Sequence, residues 1–276
     1  MKIYFIAFLS IIASYKSVCS QDRMEILKDS VLNEGYRLYH LERASWLTTD
    51  LIREYCSYKM NRVKGYLSYP VDGHFKCIFW TVKDTLITFS VLFDSTFEIS
   101  QAVMDTNVSF PSNFEKQLVG IREAAINDLL NDTTKFYLTY KNTSLNFIPL
   151  IEGDSRKVII MTGANVAGFI PFGNDYVLWF DESGNLIKRE KLHFSLVATE
   201  LTPKTGEPNK VVIATMHSHK LFDIITSTDI CNLLLYQDEA SWSQHHIISD
   251  SFVTIWSTQT SSFIVITIDQ YKKMGK

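Results

Sequence analysis

The chain has 276 residues, 46% hydrophobic and 13% aromatic, with 27 basic and 30 acidic residues and a formal net charge of −3. That composition suits a globular chain with ample material for a core. The slight acidic excess argues against a nucleic-acid partner, which favours a basic face.

Residues 1–20 read as an export signal. Lys2 gives a positive start, and residues 3–13 form an apolar run. That run is shorter than the roughly 20 apolar residues a bilayer-spanning helix needs. Val18 and Ser20 occupy the −3 and −1 positions of a cleavage site before Gln21. An uncleaved anchor and lipidation at Cys19 are the alternatives. The expectation is an exported chain, periplasmic or secreted, soluble once residues 1–20 are removed. Those residues hold Lys2 and Lys16 and no acid, so 25 basic and 30 acidic residues remain, a net charge of −5. Cys56, Cys77 and Cys231 also remain, an odd number that leaves at least one unpaired in a monomer. A Cys56–Cys77 bridge and three buried thiols both stay open.

Residues 22–45 have helical spacing, with Met24, Leu27, Val31, Tyr36 (after a shift at Gly35), Leu38 and Leu41 on one face. Residues 46–60 read as a second helix. Strands at 76–82 and 86–93, rich in aromatic and β-branched residues, flank a Lys83-Asp84 turn. Ser112-Asn-Phe-Glu115 is a capping box that opens a helix to about residue 130. Strands follow at 136–140 and 145–150. From Arg156 onward, segments 157–161, 169–172, 176–180 and 186–192 suggest an antiparallel meander. Residues 201–210, with two Pro and a Gly, read as an exposed loop. A buried strand at 211–216, a helix at 228–242 and strands at 251–256 and 263–268 complete the chain. The expected class is α+β: a helix-rich region 21–151 with a small antiparallel sheet, then a region 152–276 with a mixed or antiparallel sheet. The two regions could share one core.

One segment carries a chemical idea. Residues 211–216 run into His217-Ser218-His219, and a helix opens ten residues later around Asp229. Alternate residues of an extended chain point the same way, so the two imidazoles face one side, about 7 Å apart along the strand. Ser227 reads as the helix N-cap, which puts Asp229 in the first turn. Two imidazoles and one carboxylate are a catalytic zinc ligand set with a fourth position for water.

Here the sequence resembles the JAB/MPN family, the JAMM metalloproteases. That family carries His-x-His, seven residues, then Ser, two residues and Asp. The resemblance implies zinc held by His217, His219 and Asp229, with Ser227 (or Thr226, with a loop shorter by one) stabilising the tetrahedral intermediate. Seven residues separate His219 from Ser227, but only Thr228 separates Ser227 from Asp229, so one residue is missing. The family's Pro after the second His is Lys220 here. Its general-base Glu corresponds to Asn165, before Gly168, and Asn cannot take a proton from water; Glu152 and Glu200 are the nearest acids. The implied fold is a JAB/MPN-like sheet with a helix after the His-x-His loop. The implied function is zinc-dependent hydrolysis of an amide or isopeptide bond in a peptide or protein substrate. The alternative is a non-catalytic secreted or envelope binding protein that keeps a degenerate form of the fold. Segments 172–176 and 227–231 also resemble stretches of exported bacterial proteins, which implies no activity.

Other leads are smaller. His245 and His246 are adjacent, so on a strand they point to opposite faces; one of them could reach His217. His193 reads as a rim residue at the end of a meander strand. Asn174 and Asp175 read most simply as turn formers. Asn107, Asn131 and Asn142 begin glycosylation sequons. No phosphate-binding Gly loop, dinucleotide fingerprint, nucleophile elbow, His-Glu-x-x-His helix or Cys-x-x-Cys pair is present.

Overall fold

The structure is a computed structural model that describes residues 3–82, 85–202 and 211–274, with side chains described from Arg23 onward. The expected leader, Cys19, the Lys83-Asp84 turn and most of the 201–210 loop lie outside the residues so described.

Helix α1 runs from Ile3 to Tyr55 and a short α2 spans Ser57–Met60. The expected break into two helices near residue 45 is absent. Leu38, Leu41, Ser45, Thr48 and Ile52 are all buried at steps of three and four, so the apolar stripe crosses the expected junction in phase. Among the described residues, no helix is long and apolar enough to cross a membrane.

The first sheet is an antiparallel set in the order β1 (Val63–Val71), β2 (His74–Thr81), β3 (Ile87–Phe93) and β4 (Val103–Asp105). Helix α3 (Asn113–Leu130) follows, opened by the expected Ser112–Glu115 capping box. The second sheet has the order β5 (Thr143–Glu152), β6 (Ser155–Ala164), β8 (Tyr176–Phe180) and β9 (Leu186–Lys191), again antiparallel. Strand β7 (Phe169–Gly173) leaves this meander and pairs with β10 (Leu196–Glu200). The third sheet is β11 (Ala214–Ser218), β12 (Gln244–Ile248), β13 (Phe252–Ser257) and β14 (Ser262–Thr267). Its β11–β12 pair is parallel and the rest antiparallel. Helices α4 (Ser227–Leu235) and α5 (Ile268–Met274) complete an α+β fold.

Three local expectations change. Residues 136–140 form no strand, because side chains take their amides: the Asp132 carboxylate accepts from Phe136 and Tyr137, and the Tyr176 hydroxyl from Leu138. Residues 211–216 are not a buried strand. Val211, Ile213 and Met216 are exposed, and β11 begins only at Ala214, at a sheet edge. The last long helix stops at Leu235 rather than 242; Trp242 is instead buried with its indole N–H on the Glu200 carbonyl at 3.1 Å.

α1 and α4 cross tightly. A Cβ on Gly35 would lie 2.5 Å from Ile230 Cγ2, so only Gly fits there. Leu38 and Leu41 of α1 share a core with Ile148, Leu150, Ile159, Met161 and Val177. The expected boundary at 151/152 falls within the β5–β6 hairpin, where Ile151 pairs with Arg156. Cys56, Cys77 and Cys231 are all free and buried.

Candidate metal centre

Edge strand β11 delivers His217, and His219 follows it, its N–H held by the Ile248 carbonyl at 2.9 Å. As the alternation requires, both rings turn to one side, and their Nε2 atoms lie 2.9 Å apart. His219 Nδ1 donates to the Ile224 carbonyl at 3.0 Å, which fixes that ring and leaves Nε2 pointing inward. Phe172 stacks on His217 with centroids 4.8 Å apart.

Asp229 comes from the first turn of α4. The N-cap is Thr226, one residue before the expected Ser227. The Asp229 Oδ2 atom accepts from the Thr226 N–H at 3.0 Å and from its hydroxyl at 2.7 Å. The helix N-terminus favours the charge. Oδ1 is buried, has no hydrogen-bond partner, and lies 3.6 Å from Nε2 of both His217 and His193. Ser227 turns elsewhere: its hydroxyl donates to Glu34 at 2.8 Å.

His193, expected at a rim, is buried in the centre of the cluster. Its Nε2 lies 3.2 Å from His219 Nε2. The preceding turn makes this possible. Gly173 has φ +85°, and a Cβ there would lie 2.4 Å from the Ser195 carbonyl and 3.2 Å from His193 Cβ. Asp175 is more than a turn former. It is fully buried, takes the Thr162 N–H on Oδ1 at 2.9 Å, and sets Oδ2 3.3 Å from His193 Nδ1. A carboxylate behind an imidazole in this way orients the ring and raises its basicity.

The electrostatics follow. Burial lowers the His193 pKa, but Asp229 and Asp175 outweigh it and push the ring up to about 10. Burial takes His217 down to about 3 against the pull of Asp229. Burial raises Asp229, yet the three histidines hold it well below the ordinary value. Burial raises Asp175.

The donor atoms of His193, His219 and Asp229 all lie within 4.8 Å of one another, close enough to hold a metal ion. His217 stands beside them, its Nε2 2.9 Å from His219 Nε2 and 3.6 Å from Asp229 Oδ1. His193 Nε2 lies 3.2 Å from His219 Nε2 and 3.6 Å from Asp229 Oδ1, and Asp229 Oδ2 lies 3.1 Å from His219 Nε2. The expected ligands His217, His219 and Asp229 are thus brought together, and Ser227 is not brought to them. Among the described residues, the carboxylates set against these histidines are Asp229 and Asp175. Glu152 pairs with Arg37, Glu200 is exposed, and Asn165 lines a separate cavity with Trp46 and Arg53.

Two openings adjoin the centre. A cleft of about 100 Å³ reaches His193 and His217 past Ser195 and Lys220. A cavity of about 320 Å³ lies between α1, the second sheet and residues 222–227, lined by Val31, Val177, Trp179, Phe222 and Ile225, with Glu34 and Lys157.

No family model, no curated protein and no solved structure matches this chain.

Proposed function

We propose that this chain is an exported zinc-binding protein whose metal centre is structural and whose role is binding rather than hydrolysis. The observation that carries this reading is the convergence of buried donor atoms of His193, His219 and Asp229 within 4.8 Å of one another, with His217 Nε2 beside them at 2.9 Å from His219 Nε2 as the candidate fourth ligand. Structural zinc sites fill all four positions with protein, whereas catalytic ones keep one for water. The donor set suits the ion: three imidazoles, with the second nitrogens of His217 and His219 hydrogen-bonded to His245 and the Ile224 carbonyl and that of His193 3.3 Å from Asp175 Oδ2, and an Asp229 Oδ1 atom with no hydrogen-bond partner. Among the described residues, the two carboxylates set against these histidines are both engaged there, Asp229 beside the three Nε2 atoms and Asp175 behind His193. The centre pins residues 219–229 at both ends, and those residues wall the apolar cavity beside Trp179. A cavity of that size and character suits a small apolar ligand.

A second reading is the JAB/MPN-like amide hydrolase, with His217, His219 and Asp229 as ligands and Ser227 as oxyanion donor. The cleft over His193 and His217 favours it, since it gives a substrate a path to the metal edge. That reading needs His193 to yield its place to water and Ser227 to leave Glu34.

Metal analysis of the purified chain by mass spectrometry tests the proposal. About one zinc per chain is expected for wild type, and His219→Ala should lose it. Absence of metal after incubation with zinc would end both readings. Zinc-dependent peptide cleavage by wild type would favour the hydrolase.

A further inference from the structure

The cavity between α1, the second sheet and residues 222–227 has apolar walls and a few charges, and those charges do not balance. Its volume of about 320 Å³ falls at the lower end of the range for small-molecule sites, about 300–1,000 Å³. Val31 comes from α1, Val177 and Trp179 from β8, and Ile225 from the segment before α4. Leu27 and Phe222 also line it and are 44% and 42% exposed, so apolar surface continues out to solvent. A hydrocarbon body would cover that surface, and each buried methylene favours binding.

Four charged side chains line the cavity: Glu34, Lys157, Glu190 and Asp223. Lys157, the one ammonium among them, is already neutralised. Its Nζ pairs with Glu34 and sits 5.4 Å from the centroid of the Trp179 ring. The other Glu34 oxygen accepts from the Ser227 hydroxyl at 2.8 Å. An anionic ligand would have to take Lys157 from Glu34 and lie beside two further acids. Those two, Glu190 and Asp223, face the cavity from β9 and from the loop before α4. Both reach solvent. Glu190 pairs with Lys188 at 2.5 Å, but that pair is exposed on both sides and so holds weakly. The Trp179 side chain also hydrogen-bonds Glu190, which ties this acid to the aromatic wall. An aromatic face beside carboxylates is a favourable place for an ammonium, and Lys157 over Trp179 is an instance of it within the chain.

We infer that this cavity binds a small cationic amphiphile, an ammonium group on a hydrocarbon body. The hydrocarbon lies against Val31, Val177 and Trp179, and the ammonium meets Glu190 and Asp223 at the rim. This deepens the binding role proposed above and rests on it.

The test is calorimetric titration of the full chain at pH 7 with three probes that differ only in the head group: octylamine, octanol and octanoate. Zinc content is measured on the same samples. Octylamine should bind about tenfold more tightly than octanol, the scale of two exposed ion pairs, and octanoate most weakly. The preference should shrink as salt is raised. The double variant Glu190→Gln/Asp223→Asn should bind octylamine only as well as octanol, with octanol binding unchanged. Phe222→Ala should weaken octylamine and octanol alike. Equal affinity for the three probes, a preference for octanoate, or an octylamine affinity that either variant leaves unchanged would overturn the inference. No binding of any probe to a zinc-loaded chain would overturn it too, while leaving the zinc centre in place. An octylamine preference in a chain that takes up no zinc would support the inference and end the zinc reading alone.

Discussion

Titratable side chains are held in this protein in states that water would not give them, and each has a visible cause. Glu42 on α1 is buried, with Asn146 Nδ2 donating to it at 3.0 Å. Burial pushes its carboxyl up from 4.5 to about 7, only partly offset by Asn146 and Arg122. Between those values the folded chain holds a proton that the unfolded chain has released. Stability is therefore present below pH 4.5 and lost as pH rises through 7. Glu42→Gln removes that loss. The difference in unfolding free energy between variant and wild type should grow by roughly 1–3 kcal/mol in the variant's favour from pH 4 to pH 8, by urea denaturation. A constant difference would contradict the assignment. At this scale the sequence was legible for His217, His219 and Asp229, because a strand period and a helix start are local facts. It was not legible for His193. That ring reaches the site through a turn at Gly173 and a carboxylate at Asp175, and neither is adjacent to it in the chain. His245 carried half a signal: alternation said that one of the adjacent pair could approach His217, but register decided which.

At the scale of elements, α4 is where helix capping and the candidate metal centre meet. Thr226 closes the helix and also holds Asp229 Oδ2 through two hydrogen bonds, which aims Oδ1 at the imidazoles. Thr226→Ala should cost about 0.5–2 kcal/mol of stability as a lost cap. It should also weaken zinc binding about tenfold by freeing the carboxylate, while Thr226→Ser should retain both. Calorimetric melting and a competitive zinc titration read the two effects separately; a loss of stability with unchanged zinc affinity would deny Thr226 its aiming role. The one-residue shift of the cap from Ser227 was invisible in sequence because both residues cap helices well; the fold chose between them by giving Ser227 the Glu34 partner. Sequence also gave two helices for the single α1 stretch up to Tyr55. Its stripe from Leu38 to Ile52 is continuous, but contacts with different cores diversify the residues along it. The segment 136–140 looked like a strand by composition, yet Asp132 and Tyr176 satisfy its amides. Such side-chain competition leaves no periodic trace.

Across the whole molecule, the centre joins parts that the backbone keeps apart. His193 follows the second sheet, His217 and His219 come from the edge of the third, and Asp229 starts the helix that packs on α1 through Gly35. A metal held there would tie both sheets to α4 and brace the cavity wall at residues 222–227. The α+β class was readable from periodicity; the joining of these parts was not, because it depends on long-range pairings such as β7 with β10 and β11 with β12. The most direct test of a closed centre is the zinc X-ray absorption spectrum of the loaded chain. Four nitrogen or oxygen neighbours at about 2.0–2.1 Å, with the outer scattering of three imidazoles, are expected. Two imidazoles with a bound water, or five or six neighbours, would contradict a structural centre and return the site to the hydrolase reading.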